Sequence, residues 1–260
     1  KKRDQHEIGH YVAADVQEVE RRMAGHFAVK EGDYRSRMRM WIWNSSEDHA
    51  LAMGKFLGST ATGDFKILGN DPVFSVWTER PHFDDVPKVR TVFAHNAAHM
   101  LLSNMHLPEW FGDLGGGWFD AAVGHWYEYA IFGRTTNYCI EEATLSENYE
   151  NGQWRAAIRK RLSREKEPLL PELLTKNTGA LRQSEQALCW SFYDWLVAEH
   201  PGALRGILED LKVRKESRLI FQERLGLDVL AADAAWREWV PTVYPTKGDE
   251  PRAAEETRGR

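Results

Sequence analysis

The sequence predicts an α+β protein, with a small N-terminal α/β lobe over residues 1–87, a mainly helical lobe over 88–245 and a disordered tail over 246–260. Three observations predict this. Short β-prone runs occur only before residue 88. From Val89 onward apolar residues recur almost continuously at helical spacing. The last stretch, TKGDEPRAAEETRGR, is polar and apolar-poor, as frayed termini are.

The elements follow in order. Val16, Val19, Met23 and Phe27 recur between charged residues at the period of an amphipathic helix. Met38 to Trp43 form a short run rich in β-prone residues, ended by Asn44 and Ser45, and read as a strand. A helix begins at Ser46, with Glu47 and Asp48 favoured in its first turn by the helix dipole. Pro72 to Arg80 (PVFSVWTER) reads as a second strand. VRTVFAHNAAHMLLSN then forms a long apolar helix, and WFDAAVGHWYEYAIFG a second one stopped by Gly133. The intervening LPEWFGDLGGG is a loop with three consecutive glycines. Further helices are expected at 153–162, 183–199, 203–212 and 229–240, with a turn at Gly226.

Composition narrows the function classes. At 260 residues and 42% hydrophobic, the chain can bury a sizeable core. A net charge of −5 and a pI of about 6.1 give no electrostatic footprint for nucleic acid. The basic run Arg155 to Arg164 sits on a helical stretch and reads as a solvated face. No segment approaches the roughly 20 apolar residues that cross a bilayer. The charged KKRDQHEIGH carries no signal-peptide pattern. Cys139 and Cys189 form no C-x-x-C and are read as buried thiols rather than a disulfide. The 11 tryptophans suggest an aromatic core between helices, or an aromatic-lined cleft.

The feature that carries chemistry is His95-Asn96-Ala97-Ala98-His99. Histidines at i and i+4 share one helix face and can reach one metal ion. In the zinc-peptidase motif H-E-x-x-H a glutamate between them acts as general base. Here Asn96 stands in that position.

VRTVFAHNAAHMLLSN resembles the active-site helix of gluzincin-type zinc metallopeptidases, in particular the bacterial peptidase MA-like families. Trp118 to Trp126 resembles their following helix, W-L-x-E-G-x-A-x-Y. QSEQALCWSFYDWLVAEHP and FQERLGLDVLAADAAWREWV resemble their later helices, so the likeness runs from about Arg37 to Val240. The resemblance implies a zincin-like fold with the H-x-x-x-H helix at a cleft between the lobes. It implies zinc as the cofactor and a polypeptide as substrate or partner. It assigns His95 and His99 as ligands, Asn96 to the general-base position and Ala121 to the third-ligand position. Relatives of this type are often exported, which leans the compartment towards export.

Two departures therefore fall on the residues the chemistry most needs. An amide cannot take up a proton at neutral pH, and a positioned acid–base group contributes about 10²–10⁴-fold in rate. Catalytic zinc usually has three protein ligands plus water, and Ala121 offers no donor. His125, one turn after Ala121, could supply a third imidazole or hydrogen-bond a ligand from outside the coordination shell. Asp120, about 100° around the helix from Ala121, and Asp113 in Trp110-Phe111-Gly112-Asp113 are two further candidates for the third ligand. Two functions are expected. One is a catalytically impaired descendant that still binds a polypeptide. The second is an active zinc hydrolase with a rebuilt His95/His99/His125 site, using Glu128, Glu141 or Glu142 as base.

Overall fold

The structure, a computed structural model, describes residues 5–58, 63–68, 71–79, 83, 85–105, 111–113, 115–142 and 149–246. The predicted tail beyond Thr246, and parts of the glycine-containing loop at 106–110 and Leu114, lie outside the described residues. The architecture is mainly helical with one small sheet.

Helix α1 (Gln5–His26) precedes strand β1 (Arg39–Trp43), helix α2 (Ser46–Leu57) and strands β2 (Phe65–Ile67) and β3 (Val73–Trp77). Ser45 caps α2 by accepting a hydrogen bond from the Asp48 amide. The sheet order is β1-β3-β2. β1 runs parallel to β3, pairing Arg39 with Val73 and Trp43 with Trp77. β2 lies antiparallel along the other side of β3, with Lys66 opposite Phe74. The sequence pattern does not announce β2; three residues carry no period that could reveal it.

Helix α3 (Val86–Asn104) starts at Asp85, whose carboxylate accepts from the Lys88 amide. Every residue from Phe93 to Asn104 is buried. A helix enclosed on all sides must satisfy each polar side chain internally, so His95, Asn96 and His99 all need partners within the protein. Helix α4 (Gly117–Phe132) ends on Gly133 in the left-handed conformation, φ 68°, as the sequence predicts. Helices α5 (Trp154–Leu162), α6 (Leu170–Leu173), α7 (Gln183–Glu199), α8 (Leu204–Lys212), α9 (Ser217–Leu225) and α10 (Val229–Val243) complete the chain.

Two apolar clusters flank α3. Phe93 and Met100 face the sheet, with Phe74 and Val76 of β3 and Ile8 and Val12 of α1. Ala97, Ala98, Leu101 and Leu102 face the helical side, with Val19, Met23 and Phe27 of the same α1. One end of α1 therefore packs into each cluster. Four tryptophans, Trp118, Trp154, Trp190 and Trp236, are fully buried between the helices, so the aromatic-core reading describes these residues. The basic run differs in part from expectation. Arg155 stacks on Tyr129, Trp190 and Tyr244, and Arg161 donates to the Ser184 carbonyl. These half-buried guanidinium groups cover aromatic rings and backbone carbonyls, whereas Lys160 and Arg164 are exposed as expected of a solvated face. Among the described residues, no helix is long and apolar enough to cross a membrane.

Candidate metal centre

The two histidines of α3 meet α4 across a wholly buried contact. His99 Nδ1 lies 3.0 Å from Asp120 Oδ1, and Asp120 Oδ2 accepts from the Thr178 hydroxyl at 3.0 Å. With a proton on Nδ1 that contact is a hydrogen bond to the carboxylate, and it turns His99 Nε2 towards the interior of the pocket. Gly124 leaves room for the ring: a Cβ there would stand 2.3 Å from His99 Nε2. His95 Nδ1 lies 3.3 Å from Glu128 Oε2, and its Nε2 lies 3.2 Å from Glu142 Oε2.

His125 follows the same pattern. Its Nδ1 sits 2.9 Å from Thr135 Oγ1, while that hydroxyl donates to Glu128 Oε2 at 3.0 Å. The hydroxyl's proton is committed, so His125 Nδ1 donates to it and Nε2 faces Glu142. That Nε2 is 3.1 Å from Glu142 Oε1, and His99 Nε2 is 3.7 Å from the same oxygen. Neither nitrogen has hydrogen-bond alignment, although both are fully buried.

The chain after α4 delivers the remaining donors. Glu128 accepts from the Thr136 amide at 2.8 Å and from Asn137 Nδ2 at 2.7 Å, which folds the segment back over α4. A 3-10 turn, Ile140–Glu142, follows. In such a turn residues i and i+3 lie on one side, which brings Cys139 and Glu142 together. The Cys139 amide donates to Glu142 Oε2 at 2.7 Å, and the Glu142 amide donates to the Cys139 carbonyl at 3.0 Å. Gln186 of α7 anchors the turn by donating to the Glu142 carbonyl at 3.4 Å.

Two donor sets result. His95, His99, Cys139 and Glu142 each place a ligand atom within 4.8 Å of the others, and His95, His125 and Glu128 do likewise. All of these residues are buried. The donor chemistry fits a cation. His95 Nε2 is hydrogen-bonded to Glu142 Oε2 at 3.2 Å, and the His99 and His125 Nε2 atoms approach Glu142 Oε1 at 3.7 and 3.1 Å, a gathering of nitrogen, sulfur and carboxylate donors that would attract a cation. The titration behaviour has the same origin. Burial alone would depress the pKa of His95, but Glu142, Cys139 and Glu128 outweigh it and hold the ring well above its ordinary value. For His99, burial is outweighed by Asp120 and Cys139. Glu142, which burial would push up, is held well below the usual carboxylate range by His125 and His95.

The remaining predicted positions fall elsewhere. Asn96 faces the edge strand: its Nδ2 donates to the Val92 carbonyl at 2.9 Å and its Oδ1 accepts from Lys66 Nζ at 3.1 Å. Lys66 also pairs with Glu141 Oε2 at 2.9 Å, and that carboxyl is lowered because Lys66 outweighs its burial. Ala121 is fully buried in the apolar core and brings no donor. Asp113 is exposed on the 3-10 turn Phe111–Asp113 and belongs to neither donor set. Asp120 touches His99 from behind rather than entering a donor set, which is the role of a positioning carboxylate. Cys139 and Glu142 are the residues sequence reasoning did not place as ligands. The available signal was a cysteine and a carboxylate three apart, just beyond the second helix.

No protein-family model matches this chain, and no curated protein matches it.

Proposed function

We propose that the chain is a gluzincin-like domain in which peptide hydrolysis has been lost and the histidine pair is kept for coordination, with a polypeptide as its binding partner. The observation that carries this is the state of Asn96. It occupies the general-base position, and both ends of its amide are committed, one to the Val92 carbonyl and one to the Lys66 ammonium. No group there can accept a proton from water, and a cation stands where a base would have to work.

Further support comes from the surroundings. The H-x-x-x-H helix lies between a small sheet and a second helix that provides Asp120 to His99, an arrangement consistent with a zincin-like fold. β2 is an edge strand in the described sheet, and its central residue reaches Asn96 of α3, so an extended chain could add along β2. The competing hydrolase reading draws on the third imidazole, His125, which converges on Glu142. Of its candidate bases, Glu142 and Glu128 lie against the histidines and Glu141 is paired with Lys66.

The test is incubation of zinc-loaded protein with unstructured casein. The reading expects no cleavage that a chelator abolishes. Chelator-sensitive cleavage, lost in His99→Ala, would overturn it in favour of the rebuilt hydrolase.

A further inference from the structure

We infer that His95 Nε2, His99 Nε2, the Cys139 sulfur and the Glu142 carboxylate form a closed, four-donor zinc centre, with Cys139 and Glu142 replacing the ligand missing at position 121. The inference rests on reading the pocket as a cation site, and not on peptidase descent.

Four arguments support it. The four donor atoms lie within 4.8 Å of one another. Tetrahedral zinc with bonds of about 2.0–2.3 Å separates its donors by about 3.3–3.7 Å, so modest contraction closes the shell. Two imidazoles, one thiolate and one carboxylate suit zinc, whereas calcium and magnesium require mostly oxygen. Asp120 hydrogen-bonds His99 Nδ1 at 3.0 Å and so aims its Nε2 inward, while the Glu128 carboxylate lies 3.3 Å from His95 Nδ1 without an aligned hydrogen bond. Gly124 supplies the space that lets His99 do so.

Four protein donors fill a tetrahedral zinc shell, which is the mark of a structural site; a catalytic one keeps a place for water. Binding would release the Cys139 thiol proton to solvent. It would also tie the 139–142 turn to α3, so that the metal fastens an irregular segment onto the core. His125 and Glu128 act as positioning residues, His125 against Glu142 and Glu128 against His95. The competing set, His95, His125 and Glu128, lacks sulfur, and this separates the two by spectroscopy.

The experiment is a titration of metal-free full chain with cobalt(II), followed by absorption. The inference expects saturation at one equivalent, intense visible bands of tetrahedral cobalt, a near-ultraviolet thiolate-to-cobalt charge-transfer band, and displacement of all of these by zinc. Cys139→Ser should remove the charge-transfer band and weaken zinc binding at least tenfold, more than the low end of an outer-partner loss. Cys189→Ala should keep the band. No cobalt uptake, uptake with only the weak bands of octahedral cobalt, or a band that survives Cys139→Ser would overturn the inference. Should Cys139→Ser fail to fold, the spectra of the wild-type chain and Cys189→Ala decide between these outcomes. Casein cleavage would defeat the proposed loss of catalysis without touching this ligand set, and a missing band would defeat the ligand set without touching that proposal.

Discussion

Gly124→Ala tests the placement of His99 through a reversal of sign. In a helix interior, alanine for glycine ordinarily stabilises by about 1 kcal/mol. Here the new methyl would stand 2.3 Å from His99 Nε2, 2.8 Å from Cε1 and 2.9 Å from Cδ2. The ring has nowhere to retreat, because it is buried and its Nδ1 is held by Asp120 at 3.0 Å. Overpacking of this kind costs about 1–3 kcal/mol. Swinging the ring away instead forfeits a hydrogen bond to a charged group, about 1.5–3 kcal/mol. Against the gain in helix propensity, the net expectation is destabilisation by about 0–2 kcal/mol. Gly9→Ala in α1 is the control: nothing lies within 4 Å of its Cβ position, so it should stabilise by about 0.5–1 kcal/mol. Urea unfolding of both variants measures the difference as opposite shifts of midpoint at constant slope. Gly124→Ala should also lose cobalt binding. A Gly124→Ala protein as stable as Gly9→Ala, with an unchanged cobalt titration, would refute the reasoning.

Three further outcomes are expected. Asp120→Asn removes the charge behind His99, so zinc affinity, measured by competition with a chromophoric chelator, should fall about 10–100-fold with the fold retained; unchanged affinity would show that Asp120 does not position the ring. Lys66→Met strands Glu141, whose ion pair with Lys66 is 2.9 Å long and largely buried. Breaking such a pair costs about 3 kcal/mol, which for a chain of this size lowers Tm by about 6–12 °C, and a shift below about 2 °C would contradict the pairing. Burial would raise the pKa of Glu185, but Arg182 and Lys176 outweigh it and bring it down to about 2. A depressed folded pKa contributes stability that is present above the ordinary value of 4.5 and is lost as pH falls towards about 2. The melting temperature should therefore decline across that interval, and Glu185→Gln should flatten the decline; parallel profiles would sink the assignment.

The helices are legible where apolar period, cap and stop agree. α7 runs over Gln183–Glu199 as the sequence predicts, and Gly133 ends α4 where its left-handed conformation is needed. α3 is legible for a further reason, since two histidines four apart share a face whatever surrounds them. β2 and the 3-10 turn at 140–142 are not legible. Each is three residues long, and neither has a period; the fold places them through Lys66 against Asn96 and through Glu128 gathering residues 135–137. The third-ligand question shows the same limit. Alignment along α4 directs attention to Ala121, Asp120 and His125, all within one turn. The geometry instead brings in Cys139 and Glu142 from beyond the end of that helix, by a chain reversal that hydrogen bonds, rather than sequence spacing, determine.

X-ray absorption at the zinc edge of the zinc-loaded chain tests the central claim most directly. The account predicts one sulfur at about 2.3 Å and three nitrogen or oxygen neighbours at about 2.0–2.2 Å, in a four-coordinate shell. A shell without sulfur, or one of five or six light atoms with water among them, would contradict it.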